Sequence, residues 1–77
     1  MLKRERHELP EHIAARLELG GLRAAYDGRP DYQRNDYLGW ICRAKRAETR
    51  EKRVAQMLDE LARGGVYMKM QWNGGRG

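Results

Sequence analysis

Apolar residues recur at helical spacing along most of the chain and switch to strand spacing only near its end. In "LPEHIAARLELGG", Leu9, Ile13 and Leu17 recur every four residues and share one face. Pro10 suits a first helical position, where its missing N–H costs nothing. Glu11 suits the positive end of the helix dipole, and Gly20 and Gly21 mark the stop. "LRAAYD" predicts a short second helix with Leu22, Ala25 and Tyr26 inward, ended by Gly28. Pro30 and Asp31 start a third, "PDYQRNDYLGWICRAK", whose stripe is Tyr37, Ile41 and Ala44, flanked by Leu38 and Trp40. Gly39 projects to the opposite face and weakens this helix by roughly 1 kcal/mol relative to Ala. A fourth helix runs from Ala47 to Arg63 on Val54, Met57, Leu58 and Leu61, and Gly64 and Gly65 close it.

In "VYMKMQWNGGRG", Val66, Met68, Met70 and Trp72 alternate with Tyr67, Lys69 and Gln71, a period of two that suggests a strand. With no evident partner strand in the chain, an extended segment packing Trp72 or the methionines on the helices is expected, or strand addition to another chain. The organisation read from the pattern is a flexible basic N-terminus over 1–8, a helical domain over 9–65 and an extended or mobile tail over 66–77. The fold class is all-α: a small bundle of about four helices with an extended C-terminal tail.

Composition narrows this further. The 77 residues suffice for one domain. A chain near this size buries only roughly 60% of its unfolded surface, so tight helical packing or a homodimer would reinforce it. The single cysteine, Cys42, excludes an internal disulfide. No zinc-type cluster of cysteines and histidines is present, and no cofactor is expected. The N-terminus "MLKRERHELPEH" lacks the apolar stretch of a secretory signal. No apolar run approaches the roughly 18 residues of a membrane span. A soluble, cytoplasmic protein is the expectation. The formal net charge of +5 permits attraction to nucleic acid, anionic lipid or an acidic protein.

Six cations lie in "WICRAKRAETREKR", residues 40–53: Arg43, Lys45, Arg46, Arg50, Lys52 and Arg53. At 100° per residue Arg50 shares the face of Val54, Met57 and Leu61, Arg53 lies at its edge, and Lys52 points outward. Arg50 also lies near a helix N-terminus, where the dipole disfavours positive charge. An inward guanidinium needs a carboxylate or carbonyls, and Asp27, Asp36 and Glu11 are candidate partners. Arg34, near Tyr37, poses the same problem. Arg34, Arg50 and Arg53 are therefore read first as interhelical clamps around Tyr37 and Trp40, with Ile41, Leu58 and Leu61 completing the structural set. The competing reading gathers them with Lys45 on an anionic ligand. Lys45, Arg46 and Lys52 form an outward basic face.

Other chemistry finds little footing. "HELPEH" spaces His7 and His12 five apart across Pro10, unlike the HExxH zinc helix. Cys42 sits beside Arg43, but no histidine lies near it in sequence, so a spare thiol is expected rather than a nucleophile. The glycines match neither a P-loop nor a dinucleotide fingerprint. In a helix-turn-helix reading, the outward set would be Thr49, Lys52, Gln56 and Arg63.

"LPEHIAARLE", "AAYD" and "YLGWICRAKRAETREKRVAQMLDELARGG", taken in order, resemble the small YdeI/OmpD-associated, or bacteriocin-protection, family. The shared residues are Leu9, Pro10, Tyr26, Tyr37, Leu38, Trp40, Ile41, Ala44, Lys45, Glu48, Thr49, Arg50, Arg53, Leu61 and Gly64, across roughly residues 8 to 65. The resemblance implies a small helical domain without a defined reaction and a link to bacteriocin or envelope-stress tolerance. The residues and the resemblance together lead us to expect a non-enzymatic interaction module. It would bind an acidic protein partner through Lys45, Arg46, Arg50, Lys52 and Arg53. Nucleic-acid binding through the same face is the alternative.

Overall fold

Both longer helices of the first half begin at a proline followed by an acid. Pro10 and Pro30 sit in extended backbone just outside helices α1 (Glu11–Leu19) and α3 (Asp31–Cys42). Their carbonyls open the helical ladders, taking the N–H of Ala14 at 2.9 Å and of Gln33 at 3.0 Å. Between them lies α2 (Arg23–Asp27), and α4 (Ala47–Arg63) follows. The computed structural model describes residues 7–71. Residues 1–6 and 72–77 fall outside these bounds, and with them Trp72 and the terminal glycines.

The predicted stripes meet in one core of Ile13, Leu17, Tyr26, Tyr37, Leu38, Ile41, Val54, Met57 and Leu61. Burying each such aliphatic side chain stabilises the fold by about 1.5–3 kcal/mol. Leu9, Leu22, Trp40 and Leu58 cover the edges. Ala25, expected inward, is exposed; α2 is too short to bury more than Tyr26. Helix α3 stops at Cys42, three residues short of the expected Lys45, because Arg43 and Ala44 turn the chain onto α4.

The fold is mostly, but not purely, helical. Gly64 leaves α4 at φ 84, a left-handed conformation that favours glycine, and sends the chain back along the helix. Residues 66–71, expected as an unpaired extended segment, instead pair with themselves. Strands β1 (Val66–Tyr67) and β2 (Met70–Gln71) form an antiparallel hairpin with Tyr67 opposite Met70. The two linking residues, Met68 and Lys69, both have positive φ, 51 and 65. Such mirror-image two-residue turns ordinarily carry Asn-Gly. Met-Lys hides the turn from the sequence.

Gly39, on the face away from the Tyr37 stripe, has a role that the pattern does not show. It is buried, and His7 lies over it: a Cβ there would fall 2.9 Å from the imidazole Nε2. The helix lacks a side chain where the N-terminal segment crosses it, and the His7 N–H donates to Asn35 Oδ1 at 2.7 Å.

Candidate functional site

The α3–α4 junction gathers the basic residues, and the two central arginines act on the end of α3. A helix ends with carbonyls that have no intrahelical partner. Arg53 Nη1 donates to the Trp40 carbonyl at 2.6 Å, and its guanidinium stands 5.2 Å from the Trp40 ring centroid. Arg50 Nη1 donates to the Ala44 carbonyl at 3.1 Å. Arg50 nevertheless remains an exposed residue rather than an inward one: of the two partners allowed for it, carboxylate or carbonyl, it has the carbonyl, and no carboxylate among the described residues. Starting from the N-terminal half of α4, it meets carbonyls before it can reach the core. Arg34 donates to the Arg29 carbonyl at 3.1 Å and pairs with Asp31 at 3.5 Å. Both cationic contacts at the junction suit the negative end of the α3 dipole.

Lys45, Arg46 and Lys52 are exposed. Three arginines elsewhere face carboxylates: Arg16 meets Glu51, Arg23 meets Glu18 and Asp27, and Arg63 meets Asp59. Among the described residues, Lys45, Arg46 and Lys52 form no ion pair. Arg46 is also the residue that caps α4, with no side-chain hydrogen bond to the helix, so cations crowd its positive end. Of the remaining outward set, Thr49 and Gln56 are half-buried, and Arg63 is held by Asp59. Cys42 is an exposed free thiol.

A second polar cluster lies inside, and sequence reasoning misses it. Glu60 is 2% exposed. Its carboxylate accepts the Tyr37 hydroxyl, the main-chain N–H groups of Met68 and Lys69, each at 2.8 Å, and the Gln56 amide at 3.0 Å. Burial pushes its carboxyl upward, but these donors outweigh that and leave it below the ordinary 4.5. Burial, then the hydrogen bond and charge of Glu60, push the Tyr37 hydroxyl well above its usual range. Arg29, 4% exposed, donates to Gln33 Oε1 at 3.0 Å and to the carbonyls of Glu60 and Val66 at 3.1 and 2.9 Å. The rings of Tyr37 and Tyr67 meet edge to face at 5.4 Å, and the Tyr67 hydroxyl donates to Asp36 at 2.8 Å. The one signal for Glu60 was its projection, roughly 60° round the helix from Met57. Arg29 carried none, lying in a loop between two helices.

This cluster ties α3, α4 and the hairpin together. Its carboxylate already accepts four donors, which marks it as structural. No group of three metal-ligating side chains occurs among the described residues, nor a helix long and apolar enough to cross a membrane.

A small helical domain with a basic helix junction and an internal carboxylate clasp is the class defined here. Residues 6–64 match the family described as Bacteriocin-protection, YdeI or OmpD-Associated, and the chain belongs to that family. No curated protein and no solved structure matches the chain.

Proposed function

We propose that the protein is a non-enzymatic interaction module of the cytoplasm that binds an acidic protein partner through the α3–α4 junction. The observation behind this is the contrast in ion pairing. Among the described residues Lys45, Arg46 and Lys52 form no ion pair, whereas Arg16, Arg23, Arg34 and Arg63 each have one. Arg50 and Arg53 add charge to the same edge, since a carbonyl satisfies a guanidinium's donors without neutralising it. An acidic surface docked there would offset the crowding of cations at the start of α4. The family description supports a role in bacteriocin protection, and an exposed lone thiol at Cys42 suits a reducing compartment.

Affinity capture from host cells, after nuclease treatment, tests the reading. A partner held by the wild type and lost with Lys45→Glu/Lys52→Glu supports it; capture indifferent to the reversal removes it. Nucleic-acid binding is the competing outcome. It would give a duplex-DNA mobility shift whose affinity falls with salt, at a log–log slope near −0.9 per phosphate neutralised.

A further inference from the structure

A cleft of about 360 Å³ opens on the flank of α3, lined by His7, Asn35, Asp36, Gly39, Trp40, Arg43, Tyr67 and Met68. It is separate from the outward lysines of the junction. Its floor is Gly39. The His7 imidazole and the Arg43 guanidinium both fold over that glycine, 2.9 and 3.4 Å from the position a Cβ would take. Two donor-bearing groups are thus brought to one point, and Arg43 forms no ion pair among the described residues. The hydrogen bond from the His7 N–H to Asn35 anchors the histidine to α3. Trp40, Tyr67 and Met68 supply apolar surface beside these donors. The volume falls in the range of small-ligand pockets, about 300–1,000 Å³.

We propose that the cleft over Gly39 binds a small monocarboxylate with an apolar body, its carboxylate held between His7 and Arg43 and its body against Trp40, Tyr67 and Met68. A planar two-oxygen anion matches a guanidinium fork beside an imidazole N–H. Asp36 lies in the same wall, fixed by the Tyr67 hydroxyl, and its charge opposes a dianion such as phosphate. Gly39 is then explained by function as well as by packing, since a side chain there would push the His7 ring and the Arg43 guanidinium out of the positions that hold the carboxylate.

The probe is sodium benzoate, followed by amide and imidazole chemical shifts against sodium phosphate and sodium chloride at matched ionic strength. Saturable shifts at Gly39, Arg43 and the His7 ring are expected with benzoate only. Gly39→Ala should keep the fold, because the added Cβ meets the movable end of His7 rather than backbone, and should weaken benzoate by at least about tenfold. Arg43→Gln should do the same without touching the glycine. Lys45→Glu/Lys52→Glu should leave benzoate binding unchanged, which separates this site from the partner-binding junction. Absence of saturation, undiminished binding in Gly39→Ala or Arg43→Gln, or phosphate binding as tightly as benzoate would each overturn the assignment.

Discussion

At the α3–α4 junction, Arg50 and Arg53 reach the carbonyls of Ala44 and Trp40 from the surface. Behind α4, Arg29 reaches those of Glu60 and Val66 from inside. The bonds are alike, but their surroundings are not. The junction arginines keep water on one side, so their charge remains available to a partner. Arg29 is sealed in with a carboxylate, and its donors are committed to three segments of the chain. Sequence density therefore misleads: the crowded arginines are partly free, and the isolated one is structural. Buried charges are retained only where every donor and acceptor is met, and no buried side-chain polar atom among the described residues lacks a partner.

The sharpest way to break this comparison is to remove one member from each region. Glu60→Ala leaves the Tyr37 hydroxyl, the Gln56 amide and two turn N–H groups without their acceptor, while Arg29 keeps the main-chain carbonyl, and should cost about 3–5 kcal/mol, from about 1–3 for each buried donor left unsatisfied. Arg29→Ala should fall in the same range, measured by chemical denaturation. A cost below that of an average surface substitution in either variant would mean that water replaces the clasp.

Acid tests the interior region without a substitution. The folded protein holds the Glu60 carboxyl below its ordinary 4.5, so folding favours the ionised form. That contribution is complete above pH 4.5 and is lost as pH falls through the lowered value. The melting temperature should therefore drop below pH 4.5. Glu60→Gln, which cannot ionise, should be less stable at neutral pH, and its deficit should narrow as the solution is acidified. A constant gap between the two proteins would place the acid sensitivity elsewhere.

Effects at the junction should be smaller. Arg53→Ala removes a bond to the Trp40 carbonyl and a cation over the Trp40 ring, and should cost about 1–2 kcal/mol. Arg50→Ala should cost less, since it gives up one bond from an exposed position. Lys52→Ala should lie within about 0.5 kcal/mol of wild type. Equal melts for Arg53→Ala and Lys52→Ala would erase the distinction between arginines that brace α3 and lysines that only face outward.

How far these features were legible follows from their range along the chain. Helix α4 was readable to its ends, because Val54, Met57 and Leu61 repeat within one element and Gly64 stops it. The starts of α1 and α3 were readable from Pro10 and Pro30. The contacts of Arg50 and Arg53 were half readable: helical projection placed them near the core face, but not against the Trp40 carbonyl at the end of α3 and the Ala44 carbonyl just beyond it. Glu60 and Arg29 were not readable, since each is defined by groups from other elements. The Glu60 acceptors serve a turn 8 and 9 residues later, and Arg29 bonds a strand 37 residues away. Helical projection puts Gly39 on the face away from the Tyr37 stripe, but its burial was not readable, because it depends on His7, 32 positions earlier, crossing the helix.

The hairpin turn sets the finest test of the comparison. Lys69 holds φ 65, a conformation that costs a residue with a side chain roughly 1 kcal/mol and glycine almost nothing. Lys69→Gly keeps the main-chain N–H that donates to Glu60 while relieving this strain. The greater freedom of glycine in the unfolded chain opposes the gain, so the net stabilisation should be at most about 1 kcal/mol, seen as a higher denaturation midpoint at unchanged slope. Repeating the substitution in Glu60→Ala separates two causes. If the buried carboxylate holds Lys69 in place, the strain is already released in that background because the turn has let go, and the glycine should add little. An equal gain in both backgrounds would show that the turn keeps its shape without Glu60, and that the hairpin depends on Arg29 and the tyrosine rings instead.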